Sequence, residues 1–400
     1  MERVLFITSC FRPEPGSLEG LCTGIARNWP SGELAVLVAA RPGDSLGGRE
    51  ETSRFDEGEN YPIQRASPGR FSRGFRRGDK SFAQTAREIL RLRSPRHILF
   101  GNAAPGIDEI LRVARKYSLP YSIIVNGAEV QGRLNSRRPS SGRSLVQGAQ
   151  TVFTLTESIT KALLDRGVSP RKIVELPPVL DKENGVMKFA RKKLPVPPEA
   201  RRDRLIILGT GPFLPRKSMD RALEALRLLK NRRDLHLVLT GSGPEFHYLE
   251  ELIRLRGLEE NVSMTGFLSP EELAAWYQRA DIFLQPAGES EEDLGGMGAS
   301  LMEAACFSRP IIAGASAAAR RILQDGTNGL LIPEGAIEKL AEKIELLADS
   351  PGLRETLGRA AGRDARNRFD LREALRLIRG PVLDPVNADG IPYPSRSYAR

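Results

Sequence analysis

Apolar and polar positions follow two rhythms along this chain, and the pair of rhythms runs through it twice. Short, nearly unbroken apolar runs occur at RVLFIT (residues 3–8), ELAVLVAA (33–40), HILFG (97–101), YSIIV (121–125), TVFTL (151–155) and KIVEL (172–176). Between them lie segments with apolar residues three or four apart, among them LEGLCTGIARN (18–28), FAQTAREILRL (82–92), IDEILRVARKY (107–117) and ITKALLDRG (159–167). The unbroken runs predict strands buried on both faces, and the spaced segments predict amphipathic helices. Strands alternating with helices predict a parallel sheet covered by helices on both sides. Residues 41–81 show neither rhythm and read as an irregular basic stretch.

The rhythm stops over residues 182–203, KENGVMKFARKKLPVPPEARRD, which are basic and proline-rich and read as a linker. It then restarts. LIILG (205–209), LHLVLTG (235–241), VSMTG (262–266), DIFLQ (281–285), PIIA (310–313) and LLIP (330–333) predict strands. MDRALEALRLLK (219–230), FHYLEELIRLR (246–256) and IEKLAEKIELLAD (337–349) predict helices. Ser269 and Glu272 form an S-x-x-E capping box with Pro270 at the first helical position, which fixes another helix start. The expected organisation is an α/β protein of two doubly wound Rossmann-like domains, residues 1–181 and 204–379. They are joined by the linker 182–203 and followed by an extended tail, 380–400. Such sheets collect ligands at the carboxyl ends of their strands, so a ligand is expected in a cleft between the two.

Composition narrows the class. A chain of 400 residues, 40% hydrophobic and 28% charged, has the make-up of a globular protein with more than one core. No apolar run approaches the ~18 residues of a membrane span, and the first strand is too short for a signal peptide, so the expected location is cytoplasmic. Cys10, Cys22 and Cys306 are scattered, and His97, His236 and His247 are the only histidines. That set predicts no disulfide framework, no metal and no bound cofactor. The net charge is +10, with arginines crowded over residues 65–77 and 133–143 and basic residues over 188–204. Phe71 and Phe75 lie within the first cluster, a mixture suited to peripheral contact with an anionic membrane face. A nucleic-acid partner is not expected, since the chain carries no recognisable nucleic-acid module and only 6% aromatic residues.

Candidate chemistry sits in the turns that follow strands. GTGPFLPRKSMD (209–220) combines glycines with Arg216 and Lys217 just ahead of a helix, where a phosphate is favoured by the helix dipole. It is not a Walker A loop. GSGPE (241–245) and PEPGSLEG (13–20, with Gly16 and Ser17) are similar strand-to-helix turns. In LGGMGASLMEAACFSRPIIAG (294–314), Gly298, Ala299, Ser300 and Leu301 mark a helix start with unpaired N–H groups, and Glu303 follows within the first turn or so. A carboxylate there suits a pair of vicinal hydroxyls on a ribose, besides simply favouring the dipole.

The order and spacing of these pieces resemble the retaining nucleotide-sugar glycosyltransferases of family 4, which have the GT-B fold. The resemblance rests on FRPEPGSLEG, IIVNGAEV (123–130) and TVFTLTESITKALLDRGVSPRKIVELPPVLD (151–181) in the first half. In the second it rests on LPRKSMDRALEAL, LVLTGSGPE, VSMTGFLSPEELAAWYQRADIFLQPA, LMEAACFSRPIIAG and DGTNGLLIP. It implies a UDP- or GDP-sugar donor, a glycan or lipid-linked acceptor and no metal. Lys217 would neutralise the donor diphosphate, with Gly211 and Arg216 beside it, and Glu303 would bind the ribose. Gly298, Ser300 and Leu301 would face the phosphates, Gly266 and Phe267 the base, and Gly16 and Ser17 would close over the donor from the other domain. Asn126 stands where many members have a catalytic-site histidine. LFGNAAPG, PPVLD and the loop after Gln285 look most like mannosyltransferases acting on phosphoinositide-type lipids.

Three positions depart from that pattern. Gly295 occupies the place of a sugar-binding glutamate, Thr210 or Pro212 that of an arginine partnering the lysine, and Asn126 that of the histidine. The expected function is transfer of a hexose from a nucleotide sugar with retention. A catalytically silent relative serving as a partner subunit in glycan assembly is the alternative.

Overall fold

The computed structural model describes residues 3–12, 16–39, 49–66, 82–103, 107–130, 142–180, 185–198, 200, 203–287 and 297–383. The chain divides into two compact units, residues 1–179 with 371–400, and residues 180–370.

In the first unit the strands are β1 (Val4–Thr8), β2 (Leu34–Ala39), β3 (Ile63–Ala66), β4 (His97–Phe100), β5 (Tyr121–Val125), β6 (Thr151–Thr154) and β7 (Ile173–Glu175). They pair in parallel in the order β3-β2-β1-β4-β5-β6-β7. Every residue of β1, β2, β4 and β5 is buried, as their unbroken apolar runs require. Strand β3 and the helix Arg49–Glu57 lie in the stretch that reads as irregular. β3 is an edge strand carrying Gln64 and Arg65 and only Ala66 is buried, so it lacks an apolar run. The helix is polar nearly throughout, REETSRFDE.

The second unit holds β8 (Leu205–Thr210), β9 (Leu235–Thr240), β10 (Val262–Gly266), β11 (Ile282–Gln285), β12 (Ile311–Gly314) and β13 (Leu330–Ile332). Their parallel order is β10-β9-β8-β11-β12-β13. Successive residues enter opposite cores. Ile207, Leu237, Leu239, Ile282 and Leu284 join one cluster; Ile206, Leu208, Val238 and Phe283 join the other. Two cores per sheet explain why the strands lack polar alternation. The Ser269 capping box forms as expected, with Ser269 N donating to Glu272 Oε2 at 2.8 Å and Glu272 N donating to Ser269 Oγ at 3.3 Å.

Two boundaries differ from the expected ones. The proline-rich stretch after residue 182 is packed on the second unit: Val186 and Ala200 enter its core, and Gln278 exchanges hydrogen bonds with Lys192 O (2.6 Å) and Leu194 N (3.2 Å). The helix Leu371–Leu383, expected in the second domain as far as residue 379, packs with the first unit against the helix Ser17–Arg27 and β4. Its Ala374, Leu375, Ile378 and Val382 are buried, and Gln150 Nε2 donates to Pro381 O at 3.2 Å. The remainder of the expected tail, residues 384–400, lies outside the described residues. Among the described residues no helix is long and apolar enough to cross a membrane.

Both sheets place a histidine near the start of an inner strand, bonded to a serine on the neighbouring strand. His97 Nε2 lies 3.0 Å from Ser122 Oγ, and His236 Nε2 lies 2.8 Å from Ser263 Oγ. Burial lowers the His97 pKa from 6.5 to about 3, so the ring is neutral in the folded protein. Between those two values the unfolded chain holds more protons than the folded one, so this contribution to stability is complete above pH 6.5 and is lost as pH falls. Denaturant titrations are expected to show His97 costing about 2 kcal/mol between pH 7 and pH 5. His97→Gln is expected to remove that increment of acid sensitivity, and equal losses in both proteins would contradict the assignment.

Candidate functional site

The second unit gathers most of the expected site at the carboxyl ends of β8, β9, β10 and β11. Strand order reverses between β8 and β11, which makes this end the switch point of the sheet. Three glycine-bearing turns are laced together there by backbone bonds. Gly211 N donates to Thr240 O (3.1 Å), Phe213 N to Ser242 O (2.9 Å) and Gly241 N to Gly266 O (2.8 Å). A Cβ on Gly241 would overlap the Gly211 carbonyl oxygen, so only glycine lets these two turns approach this closely.

Lys217 ends a single 3-10 turn, Pro215–Lys217, which follows β8. Ser218 then takes a left-handed conformation (φ 52°), and the helix Met219–Leu228 begins. The lysine is half-buried and its aliphatic stem runs beside Gly211, where an added Cβ would stand 3.8 Å from Lys217 Cε. The backbone of Arg216 lies in the same turn.

Glu303 lies in the helix Ala299–Cys306, which follows β11. Its N-cap, Gly298, has φ 69° and gives no side-chain cap to the first-turn N–H groups. A Cβ on Gly298 would overlap the tip of the Ile322 side chain, but it is the left-handed conformation that favours glycine here. Leu301 is fully buried, whereas Ser300 Oγ reaches Gln285 Oε1 at 2.6 Å, tying the helix to the end of β11.

A hydrogen-bonded set joins the ends of these elements. Tyr277, fully buried in the helix Pro270–Arg279, donates its hydroxyl to Glu303 Oε2 at 2.9 Å. The same hydroxyl lies 3.2 Å from the Oγ1 of Thr210, the buried last residue of β8, and 3.4 Å from Ser300 O. Burial first, and the Glu303 carboxylate second, push the Tyr277 pKa well above its ordinary value. The phenol therefore stays protonated and keeps its donor for the carboxylate. Phe307 stacks on the Tyr277 ring (5.2 Å, 11°) and Phe283 lies 5.6 Å away, which fixes the phenol's position.

Of the alternatives for the missing arginine, Thr210 is the one inside this set, while Pro212 is exposed on the following loop. Gly266 has φ 72° at the end of β10, and beside it Phe267 is 74% exposed, an unusual state for a phenyl group. Gly295 lies outside the described residues, as do Phe71, Phe75 and the arginines of 133–140.

The first unit carries the other candidates. Gly16 caps the helix Ser17–Arg27, and a Cβ there would overlap the buried Glu19 carboxylate. Asn126 is occupied as a helix cap: its Oδ1 accepts from Glu129 N (3.1 Å), and Asn126 N donates to Glu129 Oε2 (3.2 Å). Glu129 Oε1 also accepts from Ala103 N. Nearby, at the ends of β1 and β4, Asn102 Oδ1 accepts from Thr8 Oγ1 (3.0 Å) and Ser9 N (2.8 Å), and Asn102 Nδ2 donates to Ser9 Oγ (2.7 Å). The sequence reading missed Tyr277, Gln285 and Asn102. The single signal for Tyr277 is a hydroxyl on the otherwise apolar face of its helix. Among the described residues no three metal-ligating side chains lie close enough to hold an ion.

Comparison with known proteins bears on the family and the fold. The family model "Glycosyl transferases group 1" matches residues 190–364. The alpha-D-kanosaminyltransferase of Streptomyces kanamyceticus is 31% identical over 160 residues, 40% of this chain and 40% of that protein. A GDP-mannose-dependent alpha-(1-6)-phosphatidylinositol monomannoside mannosyltransferase of Mycobacterium tuberculosis is 31% identical over 166 residues, 40% of this chain and 43% of the relative. The chain thus spans well under half the length of these relatives. Among solved structures, that of Anabaena HepE with UDP superposes with a TM-score of 0.73 at 15% identity, covering 96% of this chain and all of the other, a likeness of fold. The chain has the GT-B fold, and its residues 190–364 belong to the group 1 glycosyltransferases of family 4.

Proposed function

We propose that the protein transfers a hexose from a nucleotide sugar to a glycan or lipid-linked acceptor, with retention of anomeric configuration, and that the donor sits at the strand ends of the second unit. The observation that carries this reading is the Tyr277–Glu303 hydrogen bond beside an uncapped helix N-terminus. An ionised carboxylate offers about four lone-pair directions, and Tyr277 takes one of them on Oε2. Glu303 is thereby held in one orientation, and its oxygens accept from the two vicinal hydroxyls of a ribose.

The diphosphate then lies along Gly298–Leu301, where backbone N–H groups point outward, with Lys217 at its side. As the glycosidic bond to the β-phosphate breaks, negative charge grows on the leaving diphosphate. Donors already aimed at that position stabilise the growing charge without reorganising. Gly266 leaves room for the base, and the exposed ring of Phe267 offers a surface for stacking. In the first unit Gly16 begins the helix that carries Ser17 in its first turn. Asn126 serves as a neutral hydrogen-bonding group that cannot titrate, with its cap to Glu129 setting its orientation.

No disulfide joins Cys10, Cys22 and Cys306, which fits reducing cytoplasm and work at the inner face of a membrane. Thr210 favours a second reading. A hydroxyl in the place of a phosphate-binding guanidinium supplies no charge, and the protein then binds donor without transferring sugar, as a partner subunit in glycan assembly.

Two measurements separate these readings. Titration calorimetry with UDP-, GDP-, and other nucleotide sugars is expected to find one saturable donor. Lys217→Ala should weaken it about tenfold or more, the scale of one charge-assisted hydrogen bond. Hydrolysis or transfer of that donor, abolished in Lys217→Ala, supports the enzyme; binding with no turnover supports the silent relative; no binding by any nucleotide sugar contradicts both. Tyr277→Phe should weaken the same donor about three- to thirtyfold through the loss of one oriented hydrogen bond.

A further inference from the structure

The helix Pro351–Arg368 carries a feature that donor binding does not use. Its buried face contains Gly358 and Gly362, residues that weaken a helix interior. Both press on the turn after the Glu303 helix: a Cβ on Gly358 would overlap Ser308 O, and one on Gly362 would overlap Ser308 Oγ. Ser308 itself takes a left-handed conformation (φ 55°). The close approach drops the neighbouring helix positions onto the turn, and a cavity of about 370 Å³ opens between them. Ser308, Thr356, Arg359, Arg363 and Arg366 line it.

Three of the five lining side chains are permanently charged donors and none is acidic; Ser308 adds a hydroxyl, while Thr356 already donates its own to Gly352 O at 2.8 Å. The arginines stand at i, i+4 and i+3 spacing, so they share one stripe of the helix and repel one another. The helix dipole accounts for cations in the last turn, Arg366 and Arg368, but Arg359 and Arg363 stand two turns or so earlier. Two acids of this helix have partners of their own. Asp364 accepts from Asn328 Nδ2 (2.7 Å) and faces Arg368 (3.6 Å). Glu355 meets Arg359 at 3.4 Å, with both side chains about two-thirds exposed, a pairing strongly screened by water.

We propose that this cavity is a binding site for a phosphate monoester or diphosphate group, separate from the donor site. Guanidinium forks from the helix, with the Ser308 hydroxyl on the adjoining turn, match the several oxygens of such a group, and a bound anion relieves the repulsion within the stripe. Two sources offer that chemistry: a soluble phosphate compound and the headgroup of an anionic lipid.

The test uses the full chain with UDP present at saturation, so that the donor site is occupied. Inorganic phosphate and pyrophosphate are titrated at constant ionic strength against wild type, Arg363→Gln and Arg359→Gln/Arg363→Gln, followed by thermal shift and calorimetry. The wild type is expected to be stabilised saturably. Arg363→Gln should bind about tenfold more weakly, with Arg363→Lys recovering part of the affinity. In phosphate-free buffer the double variant is expected to melt at or above wild type, because repulsion has been removed. Flotation with phosphatidylglycerol vesicles, against phosphatidylcholine vesicles, separates the sources. Arginine-dependent flotation assigns the site to a lipid headgroup, and phosphate binding without flotation assigns it to a soluble phosphate. Equal phosphate affinity in wild type and the double variant, or no binding of either probe, overturns the proposal.

Discussion

The candidate donor site depends on one contact, the hydrogen bond from the buried Tyr277 hydroxyl to Glu303. It joins the helices that precede and follow β11 in the chain, and through Thr210 it reaches the end of β8. A carboxylate half-buried at a sheet end is costly unless its orientation and hydrogen bonds are fixed. Tyr277 supplies both, because its ring is held between Phe283 and Phe307 and its proton is retained by burial. The glycine turns complete the site from the other side, with Gly211, Gly241 and Gly266 stacked backbone against backbone.

Thr210 changes the meaning of that arrangement. A guanidinium there would bring charge to the phosphates, whereas a buried hydroxyl brings only a polar contact with Tyr277. Under the proposed reading the site is better furnished for recognising a ribose and anchoring a helix than for concentrating cations on a leaving group. Under the proposed reading Lys217 carries more of the charge stabilisation, which is why its removal discriminates so sharply between binding and turnover. The arginine cavity beside Ser308 lies in the same unit, on the turn that follows the Glu303 helix.

Much of this was legible in the sequence because fully buried parallel strands leave unbroken apolar runs. Most strands of the second sheet announce themselves in that way, the edge strand β10 (VSMTG) excepted, and Glu303 is set off by the glycines before it. β3 does not, since an edge strand with Gln64 and Arg65 has no apolar run to show. The helix Leu371–Leu383 shows its amphipathic rhythm, but rhythm says only that one face is buried, not which unit buries it. Tyr277 was invisible for a related reason. Its partners stand 26 and 67 residues away in the chain, and only the sheet brings them to one hydroxyl. Asn126 was legible as a polar residue at a strand end, while its capping bond to Glu129 needed the local geometry.

The central claim, that Glu303 receives the ribose of a nucleotide sugar, is tested most directly by saturation-transfer NMR on the bound donor. The account predicts strong transfer to the ribose protons in the wild type. In Glu303→Ala it predicts that ribose transfer collapses relative to that of the base. Undiminished ribose transfer in Glu303→Ala, with the variant folded and the donor still bound, would contradict it.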